Sequence, residues 1–209
     1  MTTRSFNKVI ETEAALREVI GHPSQLVLEK AVTEIDEMCA QFIANSPFVL
    51  IASYDADGNV DVSPKGDPAG EFVQMLDSKT LLIPDRPGNR RADTLVNILQ
   101  TGKVALIFLV PGRRETLRVN GTAQIVMDDD LMDRFIIKGK RPKLLIAVTL
   151  DEAYFHCTKC VVRSNLWSIE DAVSEMPSLA AILVNQGKID APVEEIEADL
   201  KLDEVEGLY

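Results

Sequence analysis

The sequence predicts an α+β protein: a small antiparallel β-barrel with helical segments at both ends. Three observations carry this expectation. Short apolar or alternating runs recur between residues 48 and 150, separated by brief turns. One helical pattern, over residues 89–101, interrupts them. Amphipathic spacing occupies residues 10–45 and returns after Ser168.

Taken in order, Ala14, Ala15, Leu16, Val19 and Ile20 fall on one helical segment, and Leu26, Ala31, Ile35, Met38, Cys39, Phe42 and Ile43 form an amphipathic stripe, with Thr33 as the expected cap. After Pro47 the period changes. Residues 48–53 are an apolar run, Asp55-Ala56-Asp57-Gly58-Asn59 is a turn cluster, and residues 60–63 alternate, which together read as a hairpin. Further strands are expected at 72–76, 80–83, 104–110, 117–126 and 144–150. The run 104–110 is apolar on both faces and so central, whereas Leu117, Val119, Gly121, Ala123 and Ile125 alternate with Arg118, Asn120, Thr122 and Gln124. Leu95, Ile98 and Leu99 share a helical face, and Gly102 supplies a C-terminal stop. Beyond Ser168 the apolar residues are Leu179, Ile182 and Leu183, and Pro192 opens an acidic segment.

At 209 residues and 46% hydrophobic, the chain can fill a core without disulfide or metal staples. Its net charge is −11, but residues 190–209 hold eight acids and one lysine and account for −7 of it. An acidic protein repels nucleic acid and anionic membranes, so neither is an expected partner, and a phosphate ligand needs a local basic cluster. The first residues form no apolar core of a targeting segment, and no run reaches the ~18 apolar residues of a membrane span. Three cysteines argue against a disulfide framework and fit a reducing compartment, so a soluble, cytoplasmic protein is expected.

The basic cluster lies at Pro84-Asp85-Arg86-Pro87-Gly88-Asn89-Arg90-Arg91, where a strand passes through a turn into a helix. Unpaired N–H groups at a helix start, with guanidinium groups beside them, suit a phosphate dianion. Solvated surface charge is the alternative for Arg86, Arg90 and Arg91. Asn89 is a candidate N-cap, Asp85 and Asp93 are expected to orient arginines, and Asp93 also favours the first turn. Ser63 and Lys65, two apart on one strand face, read either as ligand contacts or as a turn with a solvated lysine. Arg118 and Asn120 share a polar face that meets solvent, a partner or a cofactor. Cys157 and Cys160 form a Cys-x-x-Cys, but a zinc site lacks further paired ligands and a redox pair lacks its usual βαβ setting. No metal is expected. No nucleophile motif, P-loop or G-x-G-x-x-G is present, and no catalytic side chain stands out.

Residues 63–67 (Ser-Pro-Lys-Gly-Asp), 81–95 and 117–121 (Leu-Arg-Val-Asn-Gly) together resemble the FMN-binding split-barrel flavoproteins related to pyridoxamine 5′-phosphate oxidase, over about residues 47–168. The resemblance is to the family's FMN-dependent enzyme subgroup. It implies a six-stranded antiparallel split β-barrel flanked by helices: an N-terminal helical segment (1–46), an FMN-binding domain (47–168) and an acidic helical tail (169–209). It further implies a homodimer with FMN at the subunit interface. The cofactor would be held by Ser63, Lys65, Pro84, Asp85, Asn89, Arg90 and Arg91, joined across the dimer by Arg163, Ser164 and Trp167. Trp167 would cover the isoalloxazine or pack beneath it, a core tryptophan being the alternative. The chain lacks the Arg-x-x-Trp and terminal Arg-Leu-x-Pro of pyridoxamine phosphate oxidases proper, so vitamin B6 phosphate is not the expected substrate. The implied function is an FMN-dependent oxidoreductase passing electrons or hydride between a nicotinamide nucleotide and a small acceptor. Two alternatives remain. One is a flavin- or haem-binding sensor, store or scavenger without turnover, with His156 as an axial ligand. The other is a barrel without cofactor, interacting through its acidic tail.

Overall fold

The apolar runs and turn clusters become strands, and the stop signals cut the longer helical stretches into pieces. The computed structural model describes residues 5–168 and 176–209. It divides into two units, Met1–Ala31 and Val32–Tyr209.

In the first unit, α1 (Glu13–Ile20) starts at Thr12, whose hydroxyl oxygen accepts from the Ala15 N–H, and stops at Gly21 with φ of 74°. Pro23 precedes the single-turn α2 (Gln25–Glu29). Neither helix buries a residue. The second unit opens with α3 (Glu37–Ala44), capped by Asp36, whose Oδ1 accepts from Cys39 N at 2.8 Å. Asp36 therefore takes the capping role expected of Thr33.

The strands are β1 (Phe48–Tyr54), β2 (Val60–Gly66), β3 (Gln74–Met75) and β4 (Thr80–Pro84); then, after α4 (Asp93–Thr101), come β5 (Lys103–Leu109) and β6 (Thr116–Val126). A short α5 (Asp129–Met132) precedes β7 (Leu145–His156), followed by α6 (Lys159–Ser164), α7 (Leu179–Gly187) and α8 (Val193–Glu206). All strand pairings are antiparallel, in the order β2-β1-β5-β6-β7-β4-β3. Among the described residues the sheet thus has seven strands, not six, and is not closed, since β2 and β3 are edges. Of the strand expected over 72–76 only Gln74 and Met75 pair, while Phe72 and Val73 are buried beside it. Pro64 sits in the middle of the edge strand β2, opposite Leu50. The helix expected from residue 89 begins only at Asp93. Of the expected C-terminal tail, residues 169–175 lie outside the described residues, and α7 packs against α8.

β7 runs six residues past its expected end at Leu150, and its burial explains why. Leu150 pairs with Gly121 but Glu152 pairs with Asn120, so Asp151 is an extra residue in a β-bulge. Ile146, Val148 and Leu150 face the core before the bulge, and Ala153 does so after it. The inward parity changes from even to odd, which breaks the alternation a strand shows in sequence.

The core joins Ile35, Cys39 and Ile43 around α3 to the inner residues of β1, β5, β6 and β7, including Ile51, Phe108 and Val119. Burial pushes the Cys39 thiol up to about 12, helped by the Asp36 carboxylate, whereas Cys157 and Cys160 are exposed. Thiolate is the reactive form. Two thiols should therefore react promptly with 5,5′-dithiobis(2-nitrobenzoate) at pH 8, and the third only on unfolding; three fast thiols would contradict the burial of Cys39.

Candidate functional site

The alternation of β2 places Asp61, Ser63 and Lys65 on its core-facing side, opposite Ser53, Ile51 and Val49 of β1. At one end of this row, Asp61 Oδ2 accepts from the Thr94 hydroxyl at 3.2 Å, in the first turn of α4. One helical turn on, the buried Asn97 Nδ2 donates to the buried Ser53 Oγ at 2.9 Å. These two bonds fix the start of α4 over β1 and β2. At the other end, Lys65 Nζ lies 3.2 Å from Asp85 Oδ1, just past β4. Beyond it, Asp67 Oδ2 meets Arg86 Nε at 2.6 Å, and Arg86 Nη2 also donates to Phe135 O at 3.0 Å. Two ion pairs therefore bridge from the edge strand β2 to the exit of β4, which no ladder joins.

The segment between β4 and α4 has an uncommon backbone. Arg90 and Ala92 have φ of 61° and 58°, in the left-handed region. Such a conformation costs a side chain roughly 1–2 kcal/mol and clusters where ligands are gripped. It also explains the late helix start, because a left-handed residue cannot continue a right-handed turn. Asn89 is consequently not the N-cap. Its Oδ1 accepts from Arg91 N at 3.0 Å, an Asx turn, and the cap position falls to Ala92, which has no side chain to offer. The first-turn N–H groups of α4 are left without a side-chain acceptor.

The three arginines differ. Arg86 is only 12% exposed and committed to a carboxylate that is 3% exposed, so it does not join a free phosphate cluster as the sequence suggests. Arg91 is 74% exposed, with Nε 2.8 Å from Asp93 Oδ2, and this hydrogen bond raises its pKa further. Arg90 is exposed and, among the described residues, its side chain has no hydrogen bond or ion pair. Asp93 thus does orient an arginine, while Asp85 orients Lys65 instead. Ser63 and Lys65 are half-buried on one face, with Pro84 and Asp85 beside Lys65 and Asn89, Arg90 and Arg91 leading into α4.

Arg163, Ser164 and Trp167 stand elsewhere in the chain. They follow the last residue of β7, whereas Asp85 N bonds to Leu144 O just before its first. Among the described residues, no hydrogen bond or ion pair joins Arg163, Ser164 or Trp167 to the β2 row or to Asp85. Arg163 is exposed, Ser164 Oγ bonds to Val161 O at 3.3 Å, and Trp167 is 38% exposed with Nε1 2.6 Å from Arg113 O. Trp167 is therefore not a core residue. On the outer face, Arg118 Nε bonds to Asn120 Oδ1 at 3.0 Å, and Asn120 Nδ2 to Glu152 Oε1 at 2.6 Å, a polar row between β6 and β7. The ring of His156 lies 5.1 Å from that of Tyr154 at its end.

Open grooves lie along α1, lined by Arg17 and His22, and along the last turns of α8, and none of the candidate site residues lines either of them. Sequence reasoning passed over Asp61, although it shares the alternation of Ser63 and Lys65. It also passed over Asp67, whose partner lies nineteen residues on and is not signalled by any local pattern. Among the described residues, no helix is long and apolar enough to cross a membrane.

The chain is similar to HupZ of Group A Streptococcus (21% identity over 58% of this chain and 93% of that one, TM-score 0.47). It is also similar to a candidate pyridoxamine 5′-phosphate oxidase of Lactobacillus delbrueckii (27% identity over 59% and 95%, TM-score 0.47). A third similar structure is General Stress Protein 26 of Bacillus anthracis (16% identity over 55% and 88%, TM-score 0.43). A comparison with curated proteins gives no match. The family described as Pyridoxamine 5′-phosphate oxidase matches residues 35–157, more than half of the chain and all seven strands, and the protein belongs to that family.

Proposed function

We propose that the protein binds FMN between two copies of the chain and acts as an FMN-dependent oxidoreductase, with 47–168 as the cofactor-binding split-barrel domain between the helical segment 1–46 and the tail 169–209. The observation that carries the reading is the uncapped start of α4, with Arg90 unpaired and Arg91 beside it, at one end of the Asp61–Ser63–Lys65 row. The donor set fits the cofactor. A phosphate dianion asks for main-chain N–H groups and guanidinium charge, which the α4 start offers. Asp61, at the same place, is already engaged by Thr94.

When bound, the flavin supplies the hydride or electron chemistry, and the chain supplies binding, orientation and charge. Arg90 and Arg91 hold the phosphate, with Asn89 shaping the turn. Ser63 and Lys65 lie further along the row, where a hydroxyl and an ammonium favour negative charge on the ring edge; Pro84 and Asp85 form the wall, Asp85 steadying Lys65. Arg163, Ser164 and Trp167 come from the second copy, which is how residues at opposite ends of β7 serve one site. A nicotinamide nucleotide is the electron donor in this reading, a small molecule the acceptor, and the cytoplasm the setting.

Titration of the purified protein with FMN tests it. Bound flavin should absorb near ~450 nm with its fluorescence quenched, and a Soret band from bound haem would replace the reading. Arg90→Ala and Arg91→Ala should each weaken FMN by about ten- to a hundredfold while circular dichroism stays unchanged. Unchanged affinity in both variants would remove the phosphate cradle.

A further inference from the structure

Next to the β2 row the structure contains a second arrangement that the flavin reading does not use. Residues 137–140 form a tight hairpin: Ile137 N bonds to Lys140 O at 3.1 Å and Lys140 N to Ile137 O at 2.9 Å. Lys138 and Gly139, with φ of 49° and 74°, make the two-residue turn that matches strand twist. The hairpin presents two lysines toward Arg86, whose guanidinium is itself held by Asp67 and the Phe135 carbonyl. The ring of Tyr209 meets both elements, with Arg86 Cζ at 5.3 Å and Lys138 Nζ at 5.4 Å from its centroid. Lys140 Nζ donates to the Tyr209 main-chain carbonyl oxygen at 2.6 Å, and the Asp67 carboxylate is close enough to the phenol to raise its pKa.

An aromatic ring met by two cations, with an oxygen acceptor on a third, is how a protein recognises a small aromatic acid. The partners are positioned independently of the tyrosine, by a buried ion pair and a hairpin, which is what preorganisation requires. Asp67 is engaged by Arg86, and Glu71 is the other carboxylate whose charge reaches the phenol, so three cations leave a positive surplus. Burial, foremost, and the Asp67 charge push the phenol up, keeping Tyr209 a neutral occupant.

We propose that Arg86, Lys138, Lys140 and Asp67 form a subsite for a single-ring aromatic carboxylate, and that Tyr209 fills it from within the same chain until such a ligand displaces it. As a binding site this stands on the geometry alone. As the substrate subsite of an oxidoreductase it rests on the flavin reading, since Arg86 adjoins Asp85 and Asp67 lies two residues beyond Lys65.

The test titrates 4-hydroxyphenylacetate into flavin-free protein by calorimetry. An intramolecular occupant lowers apparent affinity by the fraction of time it fills the site, so Tyr209→Ala should bind the acid about tenfold more tightly than the native chain. Adding Lys138→Ala and Lys140→Ala to that variant should abolish the gain, and cyclohexylacetate should bind it more weakly than the aromatic acid. Should Tyr209→Ala lose its fold, Tyr209→Phe, which lacks only the phenol hydroxyl, should give a smaller gain in the same direction. Affinity that does not rise in these variants, or that ignores the two lysines, would make Tyr209 a plain anchor and overturn the proposal. FMN titration of the same proteins separates the readings: lost FMN binding with retained acid binding fails the flavin site alone, and the converse fails this subsite alone.

Discussion

Asp67→Ala is expected to cost on the order of 3–5 kcal/mol of stability, because it strands the Arg86 guanidinium in a place where water does not reach it freely. The pair is 2.6 Å long, with side chains 12% and 3% exposed, unlike the exposed pair Arg91–Asp93 at 74% and 41%. Exposed pairs are worth little, and Arg91→Ala should leave the melting temperature almost unchanged. Much of the Asp67 cost is the uncompensated charge, so Asp67→Ala/Arg86→Met should recover part of what the single variant loses. Urea unfolding of the three variants checks this. A loss below about 1 kcal/mol for Asp67→Ala would mean that the edge of β2 is not tied to the β4 exit through this pair.

Gly121→Ala is expected to be nearly as damaging, at about 3 kcal/mol, a fall of roughly 6–12 °C in Tm for a chain of this size. Gly121 pairs with Leu150 at the β-bulge, and a Cβ there would run into the Thr149 carbonyl oxygen. The obstacle is main chain in the middle of the ladder, so no side chain can swing aside. Gly88→Ala is the control: nothing lies within 4 Å of a Cβ at that position, and its stability should hold within about half a kcal/mol. Equal melting of the two variants would show that the β6–β7 ladder opens locally to admit a methyl group at residue 121.

Much of the fold is legible in the chain where physics acts locally. The hairpin of β1 and β2 follows from Asp55-Ala56-Asp57-Gly58-Asn59, where Asp55 Oδ1 accepts from the N–H groups of Asp57 and Asn59. The end of α4 follows from Gly102, at φ of 65°. What the sequence conceals depends on distant partners. The second half of β7 is hidden by the parity change at Asp151, since Glu152, Tyr154 and His156 fall on the outer face only because one residue was skipped. The shortness of β3 is hidden as well, since the run 72–76 reads as a full strand and only Gln74 and Met75 pair. In the candidate site, the cluster of arginines before a helix is legible, but their division of labour is not. Arg86 is drawn inward by Asp67, Arg91 is paired with Asp93, and Arg90, at a φ of 61° that no residue type at that position announces, is exposed without a side-chain partner among the described residues.

The edges of the sheet constrain how copies of this chain meet. A proline sits midway along one border, with no amide hydrogen to offer an incoming strand, and the other border is two residues long. Ladder extension from molecule to molecule, the route to fibrils and domain-swapped ribbons, is therefore blocked on both sides. Contacts between copies would then use side chains rather than shared main-chain ladders.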